Sequence, residues 1–175
     1  MADPSDQLQD ALPLSRFYFY LSGRVSCVRD LGEEVLDNLD CAFGEVILHE
    51  RLSRAEMLFW FWLLGAYEVV RTMTHTSDCF ADHYVDLLKS LKERLEFARM
   101  PAAKMEPRRK RVPVTSDRSP ANINHEERDL QIGDPDGLLD SCRDLIRNFN
   151  EVIRQSDSTT ILKRHEDSVR WRKDV

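Results

Sequence analysis

The chain has 175 residues, 42 % of them hydrophobic and 32 % charged, with a net charge of −6. It is long enough to bury roughly two-thirds of the surface its unfolded form exposes, as one domain without covalent staples. The acidic balance offers duplex nucleic acid no global attraction, so any such role must rest on a local patch.

Cys27, Cys41, Cys79 and Cys142 lie far apart, with no C-x-x-C pair and no Cys/His cluster at zinc-ligand spacing. They read as buried thiols in a reducing compartment. The opening Met-Ala-Asp-Pro-Ser-Asp is acidic where a secretory leader is basic, which predicts a cytoplasmic protein. The longest apolar stretch, Met57 to Tyr67, is about half of the ~20 residues a bilayer demands and leads into Glu68 and Arg71, so no membrane role is expected.

Apolar or small residues recur at Phe17, Leu21, Val25, Val28, Gly32, Val35, Leu39, Ala42 and Val46 in steps of three and four. That spacing predicts a first helix over about residues 15–49, with a kink or short extended start where Phe17 to Tyr20 and Gly23 favour other geometry. Ser53 and Glu56 form a capping-box pattern, and Leu52 and Met57 occupy the positions of a hydrophobic staple, so a second helix is expected to start there. From Leu58 to Leu64 it is apolar on every side, which predicts the most enclosed element of the fold, ending between Thr72 and Ser77.

Ser77 or Asp78 can cap a third helix with an apolar stripe through Phe80, Leu88, Leu91, Leu95 and Ala98, stopping near Pro101. Residues 107–131 combine three prolines, the run Arg108-Arg109-Lys110-Arg111 and few large apolar side chains, and read as a long irregular crossover. Asp134-Pro135 is a start signal for a fourth helix that carries Leu138 to Ile153 at helical spacing and ends near Gln155. The expected fold is an all-α, up-and-down bundle of four main helices over 1–155, with 156–175 as a polar tail or short docking helix.

Glu68, Arg71 and His75 fall at i, i+3 and i+7, on one face of the second helix if it continues that far. A carboxylate, a guanidinium and an imidazole together can handle a phosphodiester, so these are the candidate catalytic residues. The structural alternative is an ion pair at a helix end, with His75 near the favourable C-terminal dipole. Arg71-Thr72-Met73-Thr74-His75 resembles the motif of the HEPN-type helical ribonucleases, in which four to six residues separate Arg from His; here three do. The resemblance covers one helix and implies RNA processing by Arg71 and His75, with Glu68 in support.

Arg108, Arg109, Lys110 and Arg111 are the candidate phosphate contacts, although no aromatic residue interleaves with them to stack a base. Glu45 with His49, and Asp78 with Asp82 and Asp86, share helix faces but lack the E-x-x-H spacing of bundle metal sites, so no metal is expected. No glycine-rich phosphate loop or nucleophile elbow calls for a cofactor or covalent chemistry. Phe17, Phe19, Trp60 and Trp62 add more apolar surface than four helices cover, which predicts a homodimer sealed along the first two helices. The leading expectation is therefore a non-enzymatic module that binds itself or another protein, with the ribonuclease-like reading second.

Overall fold

The computed structural model describes residues 13–44, 46–104, 121–133 and 139–168. A helical segment over 13–17 buries Leu14 and Phe17, and the chain then breaks at Tyr18, whose φ of −158° and ψ of 111° are extended. The kink expected from the aromatic start thus falls at one residue. Helix α1 (Phe19–Ala42) follows and buries Leu21, Val25, Val28, Gly32, Val35, Leu39 and Ala42, the stripe set by the three-and-four spacing.

That helix ends seven residues earlier than its periodicity predicts, and Val46 is exposed. Phe43 leaves helical geometry at φ −98°, ψ 50°, stays buried, and forms an isolated antiparallel bridge with Ile47. Gly44 lies in the bend between them. Helix α2 (His49–His75) then begins at once, held by the amides of Arg51 and Leu52 on the Leu48 carbonyl. Ser53 and Glu56 therefore sit inside the helix and do not cap it, and the staple is not made: Leu52 is buried while Met57 faces solvent. The tight turn positions the chain before the capping box could act.

Helix α2 packs between α1 and α3 (Asp82–Lys104). The α1–α2 crossing is close because glycines sit in it. A Cβ on Gly32 would lie 3.0 Å from Trp62 Nε1 and 3.1 Å from Ile146 Cγ2, and one on Gly65 would lie 2.9 Å from Val28 Cγ2. Trp62 is sealed, stacked on Phe59 at 5.3 Å and edge-on to Phe149 of helix α4 (Cys142–Arg154) at 5.7 Å. Met57, Trp60 and Phe61, however, point outward, so α2 is enclosed on three sides and not all round. No helix among the described residues is long and apolar enough to cross a membrane.

Helix α3 starts at Asp82, later than expected, because Ser77–Cys79 forms a 3₁₀ turn and Phe80 is drawn into an extended bridge with Ile161. It runs through Pro101 to Lys104; a proline so near the end removes only one late hydrogen bond. Within the predicted crossover lies a small antiparallel sheet of β1 (Ala121–Asn124), β2 (Asp129–Gly133) and β3 (Leu139–Ser141), in that order. Its hairpin turn is set by Asn124, whose Oδ1 accepts from the amides of Glu126 and Glu127, and by Arg128 at φ 54°. Leu130 and Ile132 alternate inward to the core.

Ser141 ends the sheet and caps α4, its Oγ accepting from the Asp144 amide at 3.0 Å. The fourth helix therefore starts at Cys142 and not near Pro135; residues 134–138 are outside the described residues. Buried Asp129 ties the corner by accepting from the amides of Leu130 and Arg143 and from Ser141 Oγ. Arg143 then reaches Asp40 of α1 at 2.7 Å. A second tie runs from Arg94 of α3, bidentate on Asp140 and 3.0 Å from Asn148 Oδ1.

The polar tail is not frayed over its described part. Ala81 N donates to Thr160 O and Leu162 N to Cys79 O, which stitches residues 160–162 onto the α2–α3 corner. His165, in a 3₁₀ turn (His165–Asp167), stacks on Tyr18 at 4.4 Å and 8° and meets Phe17 edge-on. Ser168 Oγ donates to Asp78. Of the four thiols, Cys79 and Cys142 are buried as expected and burial pushes both up, Cys79 to about 11. Cys27 and Cys41 are exposed, because both lie off the apolar stripe of α1.

Candidate functional site

Helix α2 does continue through His75, so Glu68, Arg71 and His75 share one of its edges. Arg71 is paired with Glu68, with Nη2 and Nε at 2.6 and 2.9 Å from Glu68 Oε2, and both side chains are partly open to solvent. His75 is the last helical residue and is exposed; just beyond it, buried Thr76 folds its hydroxyl back onto the carbonyls of Thr72 and Met73. The pair is thus brought together as an i, i+3 salt bridge. Such exposed pairs contribute only about 0.2–0.5 kcal/mol to a helix.

Glu68 lines a groove between α1 and α2, whereas Arg71 and His75 are absent from its walls. Arg108, Arg109, Lys110 and Arg111 lie outside the described residues, as does Glu45. Asp78 is engaged by Ser168, Asp86 lies 3.8 Å from Lys89, and Asp82 stands in the first turn of α3. Among the described residues no group of three or more His, Cys, Asp or Glu is placed to hold a metal ion.

The apolar surplus expected along the first two helices lies on the outer face of α1 and α2, but with different residues: Phe19 and Trp60 are exposed as expected, Phe17 and Trp62 are buried instead, and Tyr20, Met57 and Phe61 take their place. Met57, Phe61, Gly65 and Glu68 succeed each other by four, four and three residues and form one stripe on α2. Phe61 is 51 % exposed and Trp60, its edge-on neighbour at 4.8 Å, is 39 % exposed. Beside them runs the groove, walled by Tyr20, Gly23, Arg24 and Cys27 of α1 and by Gly65 and Glu68 of α2. A Cβ added at Gly23 would meet nothing within 4 Å, so this floor is open where a larger residue would have filled it. Tyr20, 70 % exposed, stands at its end.

An aromatic knob and a shallow apolar hole therefore lie on the same surface, one helical turn apart. Tyr20, Met57, Trp60 and Phe61 are thus large apolar side chains left outside on a chain that is 32 % charged. Its sequence signals are the aromatic surplus that includes Phe19 and Trp60 and the all-round apolar run Leu58 to Leu64, part of which stays exposed. Comparison with protein-family models, with curated proteins and with solved structures finds no match to this chain.

Proposed function

We propose that this chain is a non-enzymatic, self-associating interaction module that pairs with a second copy across the outer face of α1 and α2. The observation that carries this reading is the juxtaposition of Trp60 and Phe61 with the glycine-floored groove on a single face. A two-fold pairing requires one patch to be its own complement, and a knob beside a hole meets that requirement: Phe61 of each copy enters the groove of the other. Aromatic anchors seated in desolvated pockets are the side chains that carry most binding energy in interfaces. The ordered Glu34–Arg54 ion pair at 2.9 Å, on the same two helices, supplies a polar rim.

Light scattering at about tens of micromolar, the range where a micromolar dimer is populated, tests it. The wild type is expected at twice the monomer mass and Phe61→Asp at the monomer mass, with Ile123→Asp, an exposed change on β1, leaving the dimer intact. A monomeric wild type would remove the reading. The rival, RNA processing by Arg71 and His75 with Glu68 in support, draws on the same edge of α2. It requires RNA cleavage that Arg71→Ala abolishes; no cleavage, or cleavage indifferent to that change, eliminates it.

A further inference from the structure

A second concave surface lies at the opposite functional pole of the chain's chemistry. The helical segment over 13–17 and the stitched tail over 157–164 face each other across a cleft of about 440 Å³, within the size range of small-molecule sites. It is lined by the apolar Pro13, Ile161 and Leu162 and by three cations, Arg16 from the helical segment and Lys163 and Arg164 from the tail. On a chain of net charge −6 this is a local reversal of sign, and concave walls focus such a field.

The walls are fixed and not drifting. Phe17, next to Arg16, is buried against Phe80 at 4.6 Å. The amides of Leu162 and Lys163 both donate to the Cys79 carbonyl, at 2.8 and 3.3 Å, and Ile161 is bridged to Phe80. The cleft's one acid, Asp157, is already committed: its Oδ1 accepts from Thr159 N, Thr159 Oγ1 and Thr160 N at 2.7, 2.6 and 2.9 Å. Those bonds hold its carboxyl down at about 2 and make it part of the turn. Arg164 leans on Glu166 at 3.0 Å, both well exposed, which leaves Arg16 and Lys163 as the lining cations without an ion pair among the described residues.

We propose that this cleft binds the phosphate or carboxylate of a small molecule with an apolar body, gripped by Arg16 and Lys163 and laid on Leu162 and Ile161. An anionic oxygen group answers two cations from the two segments, and the apolar lining rewards a ligand that carries more than the anion. This site is independent of the α1/α2 face.

Calorimetric titration of the full chain at low salt with phenyl phosphate, benzoate, inorganic phosphate and phenol tests it. Phenyl phosphate or benzoate is expected to bind saturably, inorganic phosphate more weakly, and neutral phenol not at all; the tighter of the first two names the anion. Arg16→Glu with Lys163→Glu is expected to weaken binding by at least about tenfold, as loss of charge-assisted bonds does. Leu162→Asp should erase the advantage of phenyl phosphate over inorganic phosphate, while Lys89→Glu, on α3, should change nothing. Should the double charge reversal unfold the chain, Arg16→Gln with Lys163→Gln serves in its place, read beside far-UV circular dichroism. Absence of saturable binding by every anion, or binding unchanged in the charge variants, overturns the proposal.

Discussion

Phe59, Trp60, Phe61 and Trp62 are consecutive in α2, yet they divide into two pairs with opposite surroundings. Phe59 and Trp62 stack on each other in the core, against Phe149 of α4, while Trp60 and Phe61 meet edge-on at the surface. Composition and neighbours are nearly the same for both pairs, and only the 100° step of the helix separates them. The difference teaches that the inner pair is there to fold the chain. The outer pair is partly open to solvent.

Substitutions that strike the inner pair should therefore move stability most. Trp62→Ala is expected to cost about 3–5 kcal/mol, since it removes a fully enclosed indole and leaves a void between α1 and α4; urea unfolding measures it. Trp62→Phe should cost distinctly less, because the buried Nε1 has no acceptor among the described residues and its removal forfeits no hydrogen bond.

Next in size is Gly32→Val, expected to lose about 1–3 kcal/mol by overpacking, because even its Cβ would press within 3.0 Å of the Trp62 ring and 3.1 Å of Ile146. The same unfolding experiment reads it. Asp129→Ala should fall in a similar range, about 1–3 kcal/mol, by orphaning the buried donors of Leu130, Ser141 and Arg143.

Phe61→Asp, by contrast, is expected to leave monomer stability within about 0.5 kcal/mol while dissociating the dimer. Equal destabilisation by Phe61→Asp and Trp62→Ala would break the division between the pairs.

The smallest effect concerns the docked tail. Burial against Phe17 and Tyr18 lowers the His165 pKa below 6.5, so the folded chain favours the neutral ring. A depressed histidine leaves stability whole above the unfolded value and drains it as pH falls through 6.5 toward the folded value. Hydrogen exchange at residues 161–168 is expected to quicken below about pH 6.5, after correction for intrinsic rates, and His165→Phe should flatten that dependence.

Much of the bundle is legible in the sequence, because α1, α2, α3 and α4 each carry an apolar stripe at helical spacing, a local signal that survives packing. Their ends are less so. Ser53 and Glu56 have the pattern of a cap, but the short turn at Phe43 to Leu48 starts α2 earlier, and a tertiary constraint outweighs a local bond. The sheet escapes notice because Ile123, Leu130, Ile132 and Leu139 are the only large apolar side chains in its three short strands, interrupted by polar residues.

Of the candidate residues, the Glu68–Arg71 pair is legible since it is made within one helix turn. The exposed aromatic face is legible as a surplus on the first two helices but not residue by residue, because periodicity counts apolar residues without knowing which of them neighbours cover: Phe17 and Trp62 are buried while Phe19 and Phe61 are exposed. The cationic cleft is invisible in a linear reading, with Arg16 and Lys163 near opposite ends of the chain.

Burial of the outer pair by a second copy would show in emission from Trp60 alone, in a Trp62→Phe, Trp171→Phe chain. On dilution from about a hundred micromolar to nanomolar, across the range of a micromolar dimer, a red shift is expected as the indole passes from interface to water. Emission that stays red and constant at every concentration would contradict it.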